Sequence, residues 1–439
     1  MLTGCNMNNQ IDSLTYYAAT KKYDLRFPTL TEDLDVDVVI IGGGFSGVNT
    51  ALELAEKGIT NIAILEGMTL GYGGTGRNGG QVMTGIGHDL DRIKHHVGKK
   101  GLETIFKISN MGTGIIRDRI AKYDIKADFC QGYSYLGCNS RQERTLRGWL
   151  KGFREASPDE EIELYTGSEV KKVIGSNLYT SALKHMGGGH VHSLNLLLGE
   201  AKAVTEYGVK IFENSQVLSV EYGPRVTVHT AMGSVRASKM LWACNAFLNG
   251  LEPTIYKKTI NTYAFLLMTE ELSDELIEKI SPIRGAYSDI NPVINYYRVT
   301  KENRLLFGSA TRYFEYIPSD LKEWNRKWML DVYPYLKDVK IELAWGGPMN
   351  CSANLFPQIG SLPKHNNVFY VQGYSGFGVT PSHIICKVLA EGMSEGSERY
   401  SLLSSIPHSN IIGKDKLRHL LLSTGKIWHQ VSGYWKGRR

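Results

Sequence analysis

Apolar positions in this chain fall into two patterns. Short, mostly apolar runs, VDVVII at 36–41, NIAIL at 61–65 and VFYV at 368–371, have the length and composition of strands buried on both faces. The first ends directly in Gly42-Gly43-Gly44-Phe45-Ser46-Gly47, and the helical pattern VNTALELAEKG follows at once. The last runs into Gly373-Tyr374-Ser375-Gly376-Phe377-Gly378-Val379-Thr380 and then the helical SHIICKVLAEGM. Residues 1–35 read as an irregular arm. Residues 88–165 carry mainly helical periodicity with one short strand, GYSYLGC, and so read as an inserted cap. From Val209 a meander of hairpins leads into the buried strand SVRASKMLWAC, which stops at Cys244-Asn245. Residues 251–340 mix aromatic strands, NTYAFLLMT and VINYYRVTKENRLLFGS, with a helix around SDLKEWNRKWMLDVYP.

Strand, glycine turn and helix in that order form an anion site. Gly42 permits the tight turn, Gly44 lets a pyrophosphate reach the backbone, and Gly47 lets helix and strand pack closely, with the anion on free N–H groups. Nineteen residues past Gly47, the second strand ends at Glu66. A carboxylate there accepts hydrogen bonds from both hydroxyls of an adenosine ribose. The stretch GYGGTGRNGGQV at 71–82 then places six glycines in twelve positions. A plain nicotinamide unit has no need of it, and it suggests backbone approaching a second part of a large flat cofactor, with Arg77, Asn78 and Gln81 as polar contacts. The second glycine turn, at 373–380, places a helix N-terminus where it would stabilise negative charge on a reduced flavin. Two such turns at opposite ends of the chain suit FAD better than NAD.

Bulk properties narrow the class. The 439 residues, 42% hydrophobic and 21% charged, fit two or three soluble globular domains. No run approaches the roughly 18 apolar residues of a membrane helix, so a cytoplasmic protein is expected. LTGC at 2–5 resembles a lipoprotein cleavage site, but an untargeted N-terminal tail is the expectation. The six cysteines, Cys5, Cys130, Cys138, Cys244, Cys351 and Cys386, are scattered like reduced thiols. The net charge of +6 belongs wholly to residues 413–439, and no nucleic-acid partner is expected. That tail reads as a helix docked on the cofactor domain, with a lipid surface met through Trp428 and Trp435 as the alternative. His190 and His192 stand two apart with no third ligand nearby, so structural or pocket-lining roles are expected rather than a metal. Ser193 is placed to cap the helix that follows.

The segments SLTYYAAT, IIGGGFSG, GTGRNGGQ, GGHVHSLNL, NYYRVTKENRLLFG and VQGYSGFGVTPSHI, in that order, resemble the D-amino-acid oxidase superfamily of flavoenzymes. Within it the chain is most similar to the gamma-glutamylputrescine oxidase group. The resemblance implies FAD in an extended pose, with Gly42, Gly44, Phe45, Ser46 and Gly47 at the pyrophosphate and Glu66 at the ribose. It implies Val217 at the adenine and Thr75, Arg77, Asn78, Gly79, Gly80 and Gln81 along the flavin. Gly376, Phe377, Gly378, Val379 and Thr380 would take its pyrimidine edge, and Asn245 completes the cofactor set. Ser193 replaces a common Pro and Phe377 a common His, so the face near the flavin should be more apolar than in the relatives. Cys351 is similar in place to a cysteine that binds flavin covalently in sarcosine oxidase, although non-covalent FAD is the expectation.

The implied fold is a Rossmann-like α/β FAD-binding domain of the D-amino-acid oxidase type, interleaved with an α+β substrate domain. Its expected boundaries are an arm at 1–27, the FAD domain at 28–87, 166–250 and 341–412, the substrate domain at 88–165 and 251–340, and the tail at 413–439. The implied reaction is oxidation of the C–N bond of a small amine by hydride transfer to flavin N5, with dioxygen as acceptor. Tyr297 and Arg298 are the expected substrate contacts, as an aromatic wall and a carboxylate partner. One alternative is a dehydrogenase feeding a membrane quinone. The other is a flavin-binding sensor without catalysis.

Overall fold

The strand Leu34–Ile41 alternates buried and exposed positions at its start and is wholly buried from Val38 onward, where strands flank it on both sides. The structure is a computed structural model and describes residues 14–411 apart from 89, 249, 292 and 313–317. Its first sheet runs in the order Gln358–Leu362, His365–Gln372, Ser234–Trp242, Leu34–Ile41, Ile62–Leu65, Lys210–Phe212. From His365–Gln372 to Lys210–Phe212 all pairings are parallel, and the strands Ser219–Glu221 and Val226–His229 extend the far end of Ser234–Trp242. Both glycine turns therefore lie at the carboxyl ends of parallel strands, Leu34–Ile41 and His365–Gln372, that flank Ser234–Trp242, along the usual ligand-binding edge of such a sheet.

The helices Phe45–Glu56, Ser193–Glu206 and Val379–Ser394 cover this sheet and share one core, in which Val48, Leu52, Leu197 and Ile384 are fully or almost fully buried. The helices Lys94–Ser109 and Gly112–Lys122, expected in a separate cap, belong to the same core through Ile105, Ile108 and Ile116. Gly112 makes this docking feasible: a Cβ there would stand 2.6 Å from Ile384 Cδ1.

The second sheet runs Ile341–Ser352, Thr259–Glu271, Arg304–Arg312, Tyr296–Val299, Ala286–Asp289, Cys130–Gly137, Ser181–His190, Gln81–Val82, with Ile162–Thr166 also paired to Ser181–His190. Gln81–Val82, Ser181–His190 and Ile341–Ser352, expected on the FAD side of the boundary, pair in this sheet instead. Long sheet strands leave no compositional break at a domain boundary, so the chain crosses between the sheets without a linker. One face of this sheet carries its own core of Leu267, Tyr287, Tyr297, Leu305 and Phe307 under the helix Leu321–Val332. The other face looks onto a cleft.

The arm is not irregular throughout. Tyr16–Ala19 form one helical turn capped by Thr15, whose Oγ accepts the Ala18 N–H at 3.1 Å, and Tyr16 and Tyr17 are buried. The LTGC stretch, Cys5 and the tail 413–439 lie outside the described residues. Among the described residues no helix is long and apolar enough to cross a membrane.

Candidate functional site

A single cleft of about 2550 Å³ is lined by the glycine turns of the first sheet and the open face of the second. It is larger than the roughly 300–1,000 Å³ of an ordinary small-ligand pocket and has room for a dinucleotide together with a substrate.

At one end Gly42, Gly44, Phe45 and Ser46 line the cleft, and the helix Phe45–Glu56 begins there at Gly44 with no side-chain cap. The Phe45 N–H is taken by the Thr75 hydroxyl oxygen at 3.2 Å, and the amides after it in the first turn are the ones open to a phosphate. A Cβ on Gly42, whose φ is 113°, would lie 2.6 Å from the Ala243 carbonyl oxygen. Gly47 sits behind the cleft, and any side chain on it would overlap the Gly42 carbonyl. Glu66 lines the cleft with its carboxylate already ordered: Oε2 accepts the Gly43 N–H at 2.7 Å and Oε1 the Met68 N–H at 2.9 Å. Burial pushes this carboxyl above its usual range. Val217 and Asn245 line the same end; Asn245 accepts the Gly373 N–H at 3.2 Å, tying the second glycine turn to the end of Ser234–Trp242, and the Ser46 and Tyr374 hydroxyls, 2.8 Å apart, join the two glycine turns. The donor set and the cradle fit an adenosine pyrophosphate.

The glycine-rich loop is held from within. Asn78 donates to the Gly74 and Thr75 carbonyls at 3.0 and 2.8 Å and accepts from the Gly80 N–H at 2.7 Å and the Ser193 hydroxyl at 2.6 Å. Ser193 therefore pins the loop and does not cap its own helix. His192 is the cap, with Nδ1 accepting the Asn195 N–H at 3.1 Å. His190 lies beside Arg298, and its Nε2 meets the Arg284 carbonyl at 3.2 Å. Thr75, Arg77, Asn78, Gly79 and Gln81 line the cleft, whereas Gly80 does not. Gly80 turns the chain at φ 70° against Tyr17 and Arg298. Arg77 is buried, donates to the Tyr72 carbonyl at 2.9 Å and lies over the Tyr72 ring, bringing a permanent positive charge to the cleft wall. Gln81 is held by Tyr133, which donates to its Oε1 at 2.7 Å.

The second uncapped helix, Val379–Ser394, opens on the same cleft with Gly376, Phe377, Gly378 and Val379. Thr380 does not line it, because its hydroxyl turns inward to accept the Met83 N–H at 3.0 Å. The apolar character expected here from Phe377 is offset by His88, which sits 6.1 Å from that ring and donates Nε2–H to the Ser375 carbonyl at 2.8 Å. Burial lowers its pKa, so the imidazole is neutral at physiological pH. No periodicity marks the segment around His88, and the sequence carries no signal for it.

Across the cleft, strand alternation selects the lining. Thr262, Ala264 and Leu266 alternate into the cleft on one strand, while its neighbour lines the cleft continuously from Gly347 to Cys351. On Tyr296–Val299 the cleft residue is Tyr296. The expected contacts Tyr297 and Arg298 are corrected on this ground. Tyr297 points to the opposite face and is fully buried between Tyr287 and Phe307. Arg298 shares the side of Tyr296 but lies beneath the loop, donating to the Gly79 carbonyl at 2.9 Å and to Tyr17 Oη at 3.2 Å. It positions the glycine loop and is 3% exposed.

The family of FAD dependent oxidoreductases, abbreviated DAO, matches residues 37–392. The chain belongs to this family. As a member it is an FAD-dependent oxidoreductase, and the enzyme reading replaces the non-catalytic sensor. It is 33% identical over 418 residues to the gamma-glutamylputrescine oxidoreductase of Escherichia coli K12, covering 95% of this chain and 97% of that protein. It is also 33% identical over 421 residues to the probable oxidoreductase OrdL of Haemophilus influenzae, covering 95% and 96%. The fold matches solved structures at lower identity. L-proline dehydrogenase of P. horikoshii superposes with a TM-score of 0.69 at 18% identity over 83% of this chain and 94% of that one. Glycine oxidase of Geobacillus kaustophilus gives 0.67 at 17% over 83% and 96%. The expected D-amino-acid oxidase type of fold is thereby borne out for this flavoenzyme.

Proposed function

We propose that this flavoenzyme oxidises the C–N bond of an amine of the gamma-glutamylputrescine kind, yielding an imine that water hydrolyses to an aldehyde, with dioxygen as the final acceptor giving peroxide. The observation that carries the reading is the convergence of two uncapped helix N-termini, from opposite ends of the chain, on one cleft walled by the alternating face of a second sheet.

When bound, FAD supplies the two-electron acceptor for the hydride. Gly44, Phe45 and Ser46 would hold its pyrophosphate and Glu66 its ribose, while Arg77 and the helix beginning at Val379 would favour negative charge on the reduced ring. The chain's own task is to hold the amine neutral and its carbon in place. Leu266, Tyr296 and Met349 provide a largely apolar wall, which disfavours the ammonium form from which hydride cannot leave. A fixed cation such as Arg77 also favours electron transfer to dioxygen, which supports the oxidase reading. The flavin is proposed to be non-covalent. Cys351 lines the cleft, yet burial raises its thiol pKa and keeps it from the reactive thiolate.

The test is anaerobic bleaching of the flavin by a panel of amines, followed by air. Bleaching by a gamma-glutamyl diamine and rapid recovery with peroxide are expected. Bleaching without recovery would make the enzyme a dehydrogenase, and no bleaching by any amine would overturn the reading.

A further inference from the structure

The helix Ser140–Ala156 lies in a segment expected to be ordinary cap, yet one of its faces forms a wall of the cleft. Arg141, Arg144, Gly148, Trp149, Gly152 and Phe153 lie on it, spaced as one helical face requires. The cations of this helix divide sharply. On other faces Arg147 pairs with Glu143 at 2.6 Å and Lys151 with Glu155 at 4.0 Å. Arg141 and Arg144 are exposed, and among the described residues no carboxylate lies within ion-pair distance of either, although Asp331 lines the same cleft. Arg141 also occupies the first helical turn, where the helix dipole favours an anion and disfavours a cation.

Two further features point to a ligand. Gly148 and Gly152 weaken the helix they sit in, and among the described residues no atom packs within 4 Å of where their side chains would be, so protein packing gives them no purpose. They leave a channel. Beside it Trp149, 38% exposed, stands edge-on to Tyr135 at 5.4 Å, and Phe153 stacks on Tyr135 at 5.7 Å, forming an aromatic shelf.

We infer that Arg141 and Arg144 bind a carboxylate at the far end of the substrate, whose methylene chain lies along the glycine channel and the Trp149 shelf. The inference rests on the amine-oxidase reading and narrows it: the substrate is an amine bearing a remote carboxylate, and the two arginines determine that specificity. They are binding residues and take no part in the chemistry.

Two measurements on the FAD-loaded enzyme test this. In the first, anaerobic flavin reduction is compared between two amines of equal length, one ending in a carboxylate and one in a methyl group. The wild type is expected to prefer the carboxylate by about 10- to 100-fold in the second-order rate constant of flavin reduction, with the preference shrinking as salt is raised. The R141A/R144A variant is expected to lose that preference and Arg147→Ala to keep it. Equal use of both amines by the wild type, or a preference unchanged in the double variant, overturns the inference. In the second, N-acetylglutamate, which carries carboxylates but no oxidisable amine, is titrated while the flavin spectrum and Trp149 fluorescence are followed. Binding at least tenfold weaker in the double variant is expected, and equal affinity refutes the site. Because this titration needs no turnover, it tests the two arginines even if no amine bleaches the flavin.

Discussion

Replacing Tyr297 and Tyr296 in turn tests which face of the second sheet is the substrate wall. Tyr297 is fully buried, with its ring 5.3 Å from Phe307 at an interplanar angle of 2°, 5.5 Å from Tyr287 at 24°, and edge-on to Tyr333 at 5.5 Å. Deleting a ring from such a site costs about 3–5 kcal/mol through lost burial and the cavity left behind. Three ring contacts, each worth about 0.5–1.5 kcal/mol, account for much of that sum. Tyr297→Ala should therefore lower the thermal midpoint by about 3–5 °C. The milder Tyr297→Leu should fold, lose less, and keep the wild-type Kd for amine in anaerobic titration. Tyr296 lies in the cleft over Gly79 and Gly308, where a Cβ on Gly79 would stand 2.8 Å from its ring. Tyr296→Leu should cost less stability and weaken amine binding about tenfold, equivalent to about 1.4 kcal/mol. A Tyr297→Leu protein that stays as stable as wild type and loses amine binding would refute the assignment of faces.

Gly47→Ala should yield protein without bound flavin, because its Cβ overlaps the Gly42 carbonyl, whereas Gly114→Ala, with no atom within 4 Å, should retain full flavin content and gain about 0.5–1 kcal/mol from the helix. Arg119→Leu should cost about 3–5 kcal/mol, since it strands the buried carboxylates of Glu53 and Glu200; chemical denaturation measures it, and a loss below about 1 kcal/mol would refute the ion network as structural. His192 must stay neutral to accept the Asn195 N–H, and burial together with nearby Arg298 lowers its pKa to about 4. The unfolded chain therefore binds the proton first as pH falls below about 6.5, and this group's contribution is lost at about 1.4 kcal/mol per pH unit down to about 4. His192→Asn, which keeps a cap, should flatten the fall of the thermal midpoint with acid, and an unchanged slope would clear His192. Acid precipitation should leave the yellow colour in the supernatant, and colour in the pellet would make Cys351 the attachment site.

Most of the cofactor end was legible because glycine there answers to geometry that no other residue can meet. Gly42, Gly44 and Glu66 are where spacing put them, and the second turn at Gly376–Val379 lines the same cleft as the first. The substrate end was less legible for a definite reason. A strand covered on both faces shows no polar alternation, so NYYRV at 295–299 gives no parity, and the choice of Tyr297 over Tyr296 was one residue out. Ser193 and His192 were exchanged in the same way, since both precede a helix and only structure shows which is extended. The helix Ser140–Ala156 was opaque for the opposite reason. Its charged residues read as a solvated face, and only the cleft distinguishes Arg141 and Arg144 from the ion-paired Arg147 and Lys151.

The two helices that begin at the cleft also share a device for keeping their ends in register. Phe45–Glu56 contributes Asn49 and Glu53, and Val379–Ser394 contributes His383 and Lys387, to one buried cluster centred on Arg119 and Glu200. Arg119 comes from the helix Gly112–Lys122 and also bonds Asn49, while Glu200 comes from Ser193–Glu206, whose first residue pins the glycine loop. Burial works to raise the Glu200 pKa, but His383 and Arg119 outweigh it and keep the carboxyl ionised. Apolar contact between helices is non-directional and tolerates sliding by a fraction of a turn. A hydrogen-bonded charge cluster in low dielectric does not, because each displaced partner leaves an unpaired buried charge. Both helix N-termini and the loop between them are thus indexed to one buried ion pair, which fixes their spacing, as the proposed grip on both ends of a cofactor would require.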